Sequence, residues 1–276
     1  MNTHESVDGV VIRVWDGSDH NRYLSVLTAD AGRITMLAKG SHPLKSSQMG
    51  VSQPFTYGNF EYYRRGDFNI LKGGSVLRSF HALSGNIDLT NLAFYLCDVI
   101  REVTDEGEPA RDQLRLLLNS LYALCENRAT PEKVKAAFEL RIAAMSGYLP
   151  ETLGCGACGN REDAHYYLDI MNGTLLCSEC MGKRGNRGVK PGDYDEIREA
   201  EVLCPLSASA CAALHYCIHA PLERLFSFDL QEKSDWHDLS RAAQTYLLSH
   251  LERGFDSLTF YLTLRQPTAP QKERKL

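Results

Sequence analysis

The sequence predicts an α+β protein: a small N-terminal antiparallel β barrel, then a helical body with a four-cysteine metal knuckle inserted between its helices. Three observations predict it. Residues 7–80 alternate β-branched and aromatic runs with turns rich in Gly, Asp and Asn. From Ser84 onward the apolar residues recur at three- and four-residue steps instead. Between two helical stretches stand two C-x-x-C pairs, Cys155/Cys158 and Cys177/Cys180.

The strand segments are "VDGVVIRVW", "RYLSVLTA", "GRITMLAKG", "PFTYGNFEYYRR" and "DFNILKGGSVLRSF". Close spacing by turn residues favours a barrel, although a sandwich or an open meander fits the same pattern. The first helix follows from Leu89, Leu92, Leu96, Val99 and Val103, and the second from Leu114, Leu117, Leu118, Leu121 and Leu124. A third starts with Thr130 as N-cap, Pro131 at the first helical position and Glu132 in the first turn. Its apolar stripe is Val134, Phe138, Ile142 and Met145, and Gly147 and Pro150 end it. After the knuckle, "GKRGNRGVKPGDYD" reads as a basic loop, "SASACAALHYCIHA" as a helix up to near Pro221, and "SDWHDLSRAAQTYLLSHLERG" as a helix stopped by Gly254. The divisions are therefore 1–82 for the barrel, 83–150 with 183–265 for the helical domain, 151–182 for the knuckle and 266–276 for a flexible tail.

Each C-x-x-C places two thiolates on one tight turn. Two such turns supply four soft ligands, the closed tetrahedral set of a structural zinc site. The intervening 159–176 has the length usual between such pairs. Asn172-Gly173 would turn a short hairpin that brings Cys177 back to Cys155. One structural Zn2+ held by Cys155, Cys158, Cys177 and Cys180 is the expected cofactor. A catalytic zinc keeps a coordination position open, and the H-x-E that a zinc deaminase places upstream is absent. His165 lies inside the hairpin and reads as an exposed strand residue. Cys97, Cys125, Cys204, Cys211 and Cys217 stand singly in apolar surroundings, as small buried hydrophobes do.

No phosphate-binding glycine loop, H-E-x-x-H or nucleophile elbow occurs, so no enzyme is expected. No apolar run is long enough to cross a membrane, and "MNTHESVDG" lacks the form of a secretion signal. The expected location is the cytoplasm. The net charge is -5, yet residues 1–80 hold nine Lys/Arg against seven Asp/Glu, so a polyanion would meet the N-terminal segment. Candidate contacts are Arg13, Arg22, Arg33, Lys39, Lys45, Arg64 and Arg65. Phe55, Tyr57, Phe60, Tyr62 and Tyr63 interleave with them, either as a platform on which bases stack or as the filling of the barrel.

These residues resemble the RecO recombination mediator family. Thr28, Gly32, Ala38, Lys39, Gly40, Lys45 and Ser46 are similar to its T-x-x-x-G…AKG…KS pattern. Phe138, Glu139, Leu140, Gly147, Tyr148, Pro150, Cys155 and Cys158 resemble its F-E-L…G-Y-x-P…C-x-x-C stretch, and "NGTLLCSEC" its second knuckle. The loop after AKG, Ser41-His42-Pro43, holds fewer arginines than that family's. The resemblance implies an OB-fold barrel, binding of single- and double-stranded DNA, and annealing of complementary strands. It also implies work with RecR and single-stranded DNA-binding protein (SSB) in loading RecA, and hence association with the nucleoid. An SSB tail, acidic and apolar, would dock on the helical body near Arg115, Arg128 or Arg141. The alternatives are a zinc-ribbon interaction or scaffold module without DNA activity, and a zinc hydrolase or deaminase.

Overall fold

A computed structural model describes residues 4–17, 21–39, 48–185 and 202–265. Five strands close the N-terminal barrel: β1 (His4–Asp16), β2 (Arg22–Thr28), β3 (Arg33–Ala38), β4 (Thr56–Arg65) and β5 (Phe68–Ser79), in the order β1-β2-β3-β5-β4. β1 pairs antiparallel with β4, from His4 opposite Tyr63 to Val10 opposite Tyr57. The barrel is not antiparallel throughout. β3 runs parallel to β5, with Met36 opposite Asn69 and Leu37 opposite Ile70. An odd number of strands forces this, because directions cannot alternate all the way round a ring of five. The result is the five-stranded Greek-key barrel of the OB type.

The remaining elements, in chain order, are α1 (Ile87–Val103), α2 (Arg111–Cys125), α3 (Pro131–Met145), β6 (Glu151–Cys155), β7 (His165–Asp169), β8 (Thr174–Cys177), α4 (Ser178–Gly185), β9 (Leu203–Ser207), α5 (Ala208–His219), α6 (Lys233–Leu251) and α7 (Asp256–Arg265). β6, β8, β7 and β9 make one sheet in that order. Chain contacts group into two compact units: Met1–Val26 with Thr35–Glu102 and Gly254–Leu276, and Leu27–Ile34 with Val103–Arg253. The sequence division at residue 82 follows the change of secondary structure. Contacts instead keep α1 and α7 with the barrel.

In the first unit, Phe60, Leu24, Val26 and Met36 fill the core. Phe55 packs against Phe94 of α1 with ring centroids 4.7 Å apart. Tyr95 meets Phe255 at 5.7 Å, and Ser257 Oγ donates to Asp98 at 2.8 Å, which fixes α7 on α1. α1 begins where the Asn86 side chain accepts from the N–H groups of Asp88 and Leu89.

In the second unit α3 is the central helix, packed by α2, α5 and α6. Thr130 caps it as the sequence predicts, its Oγ1 accepting from Lys133 N–H. The predicted stripe understates its burial, since Lys135, Ala136, Ala137, Glu139, Leu140 and Ala143 are buried as well. Lys135 and Glu139, 2.9 Å apart and one turn removed, neutralise each other inside the core. Several features escape the sequence reading, β6 and α7 among them. α4 forms where a loop is expected, β9 precedes the helix at 208, and α6 ends at Leu251 on a left-handed Glu252 before Gly254 is reached.

The β2–β3 turn lies within the second unit. Thr28 Oγ1 donates to Gly32 C=O at 2.9 Å and accepts from Ala31 N–H at 3.2 Å. Gly107 N–H donates to Ala31 C=O, Ala110 N–H to Ala29 C=O, and Arg33 N–H to Asp105 C=O. Gly32 has φ of +59°, and a Cβ there would stand 2.0 Å from Asp105 O and 2.6 Å from Glu108 O. Gly32→Ala therefore lowers unfolding stability by about 3 kcal/mol or more, measured by urea titration. A Gly50→Ala control, where only a Val76 methyl lies within reach at 3.8 Å, shifts it by less than about 1 kcal/mol.

Candidate functional site

β6 delivers Cys155 to a tight turn. Gly159 N–H donates to Cys155 C=O at 2.7 Å, and Cys155 N–H to Asn160 C=O at 2.8 Å. β8 delivers Cys177 beside it, because β6 runs parallel to β8 and Gly156 N–H donates to Leu175 C=O. The predicted hairpin is present, with β7 antiparallel to β8 and Gly173 at its turn with φ of +62°. α4 starts immediately after Cys177, so its first turn places Cys180 on the same side. Asp163 anchors that start by accepting from Ser178 N–H and Oγ.

The four Sγ atoms lie within 4.8 Å of one another, and Cys158 and Cys177 are 3.7 Å apart. Cys155 and Cys177 are buried, Cys180 is half-buried and Cys158 is exposed. Burial raises the Cys155 thiol, but hydrogen bonds from backbone N–H groups and from Cys158 outweigh it and bring it down to about 6. Cys180 is pushed up to about 12 by its neighbours Cys158 and Cys177. Ionising one sulfur thus hinders the next, and a shared cation removes that conflict. Four converging sulfurs suit a soft, tetrahedral metal ion and leave no open position for a substrate. His165 is exposed and stands outside the cluster. Cys97, Cys204, Cys211 and Cys217 are buried and Cys125 is half-buried. Burial pushes the Cys211 and Cys217 thiols up, to about 11 and about 12.

The candidate cations of the barrel divide by environment. Arg13, Lys39, Arg64 and Arg65 are exposed. Arg13 and Arg22 flank the β1–β2 loop, and Arg64 and Arg65 precede the β4–β5 turn. Arg22 is held by Asp16 at 3.2 Å. Arg33 is turned inward within the second unit, its Nε donating to Thr104 C=O at 2.5 Å with Asp105 at 3.6 Å. Lys45, with the loop 40–47, lies outside the described residues. Of the aromatics, Phe55, Phe60 and Tyr62 are buried and serve the core; Tyr57 and Tyr63 are half-buried. The first three rings therefore fill the barrel and present no face on which a base could stack. Reading that run overlooks Trp15 and Tyr23, whose stacked rings stand on either side of the β1–β2 loop. The visible signal was an aromatic at each end of a turn-rich "DGSDHN".

The three arginines of the helical body also separate. Arg115 and Arg128 line one groove of about 480 Å³ with Asn119, Tyr122, Leu222 and Phe226. Arg115 is ion-paired with Glu223 on its rim, and Arg128 is exposed. Arg141 is not in that groove. Its guanidinium donates to the carbonyls of Cys217 and Ala220 at the end of α5, at 2.8 and 2.5 Å. Arg141→Ala accordingly loses about 2 kcal/mol in urea unfolding, whereas Arg128→Ala stays within about 0.5 kcal/mol of the parent.

Comparison with known proteins agrees with this architecture. Residues 1–80 match the family model for the recombination protein O N terminal, and residues 85–192 that for the recombination protein O C terminal. A DNA repair protein RecO of Acetivibrio thermocellus is 27% identical over 256 residues, covering 93% of this chain and 95% of the relative. That of Caldicellulosiruptor bescii is 30% identical over 172 residues, 62% of this chain and 70% of the relative. That of Bacillus subtilis is 26% identical over 176 residues, 64% and 68%.

Proposed function

Because the chain belongs to the RecO family of DNA repair proteins, we propose that it is a recombination mediator that binds single- and double-stranded DNA and anneals complementary strands. With RecR it would help load RecA onto SSB-coated DNA, on the nucleoid in the cytoplasm, without a catalytic centre of its own. One observation supports the DNA reading most. OB barrels hold nucleic acid through the β1–β2 and β4–β5 loops, and both loops here are flanked by arginines, Arg13 with Arg22 and Arg64 with Arg65. Lys39, exposed at the exit of β3, adds a further cation. Neutralising phosphates lets two strands approach. Annealing then needs only that their bases stay accessible.

The groove between Arg115 and Arg128 fits an acidic, apolar peptide end such as the SSB tail. Tyr122, Leu222 and Phe226 supply the apolar walls and the arginines the charge. We assign Cys155, Cys158, Cys177 and Cys180 to one structural Zn2+, which would hold the knuckle closed in a reducing compartment.

Phosphate contacts release counterions, so affinity falls with salt. Replacing Lys39, Arg64 and Arg65 together by alanine reduces the slope of log affinity against log salt by about 2 on single strands, at roughly 0.7 per contact. An unchanged slope rejects the assignment. Elemental analysis of the purified chain gives about one zinc per molecule. Cys158→Ser, at the exposed ligand, lowers that occupancy and the melting temperature together. Full zinc retention by this variant and by Cys177→Ser would reject the four-sulfur site.

A further inference from the structure

We propose that Trp15 and Tyr23 form a stacking platform for unpaired bases, with Arg13 and Arg22 as its phosphate contacts. The inference rests on the DNA-binding reading and names the residues that would make it selective for single strands. The two rings lie nearly parallel, 10° apart in plane, with centroids separated by 5.4 Å. The Arg13 guanidinium sits 5.4 Å from the Trp15 centroid. Arg22, next to Tyr23, is fixed by Asp16 at the root of the same loop.

These rings are not part of the buried core of the barrel. Alternation along β1 and β2 sends Ile12 and Leu24 inward, where they are buried, and leaves Trp15 and Tyr23 half-exposed on the outer face. The described ends of the loop meet beside the stack. Gly17 closes onto Asn21 by an N–H to C=O bond of 3.0 Å, and a Cβ at Gly17 would stand 2.7 Å from the Tyr23 ring. Any side chain there would push Tyr23 aside. A flat π surface beside two guanidinium groups, at the loop that OB barrels use for ligands, matches the chemistry of single-stranded nucleic acid. Bases inside a duplex are already stacked and cannot extend the ladder. A base held here would be splayed from its neighbours with its pairing edge free, which is what a strand awaiting its complement requires.

The experiment compares three ligands on the full chain by fluorescence anisotropy: an oligothymidylate, an abasic oligonucleotide of the same length and a duplex. Trp15→Leu keeps the apolar bulk without the π face, and Tyr23→Ala removes the second ring. Each variant weakens oligothymidylate binding by roughly 5- to 150-fold and leaves abasic and duplex binding unchanged. Trp15→Phe recovers most of the loss. The chain has two tryptophans, so in Trp236→Phe the remaining Trp15 emission is quenched on adding oligothymidylate and not on adding the abasic strand. Equal losses on all three ligands, or no loss and no quench, overturn the platform while leaving DNA binding in place. A parent protein that binds none of the three overturns the DNA reading and the platform with it.

Discussion

Between the Cα of Gly32 and the carbonyls of Asp105 and Glu108 there is no room for a side chain. That close approach lets the β2–β3 turn exchange backbone hydrogen bonds with the segment running from Asp105 to Ala110. Thr28 closes the turn from within, its hydroxyl serving as donor to Gly32 and acceptor from Ala31. β2 ends at Thr28 and β3 starts at Arg33, so this turn joins two neighbouring strands of the barrel. A one-residue slip would send Leu24, Val26 and Met36 to the solvent face. The Thr28…Gly32 spacing through which the chain resembles its family is thus a matter of strand geometry.

The same holds for other family positions. Phe138, Glu139 and Leu140 are all buried on α3. Gly147 adopts a φ of +93° after α3 ends, and Tyr148 then stacks on His250 with centroids 4.7 Å apart. The cysteines fix the ends of β6 and β8. Most of these positions thus serve packing, backbone conformation or the sulfur cluster. The exposed arginines of the barrel carry no such constraint, so the chemistry lies in the site and not in the residues that identify the family.

Much of the architecture was legible from the sequence. Four of the five strands fall within the predicted segments, and β1 covers its own and overruns it at both ends, because turn residues and a two-residue alternation mark them plainly. The first three helices and the four-sulfur cluster follow from spacing alone. Other features depend on partners distant in sequence. β9 is a strand because β7 offers it an edge, with Tyr166 opposite Leu206 and Leu168 opposite Cys204. The parallel β3–β5 pair comes from closure of a five-membered ring. At the site, sequence named both exposed and committed cations without separating them. Arg33 and Arg141 differ from Arg13 and Arg128 only in the carbonyls that the folded chain places beside them.

The buried pair on α3 has a consequence for how the protein is made. α3 finds its packing partners in α2, which precedes it, and in α5 and α6, which leave the ribosome much later. During that interval a helix apolar on every side would be a hazard for aggregation. Lys135 and Glu139 give the nascent helix a wet face, and their i, i+4 spacing also supports it while it stands alone. In the folded core the two charges need no solvent, since each already holds the other. One ion pair thus serves the unfinished chain in water and the finished one in its core.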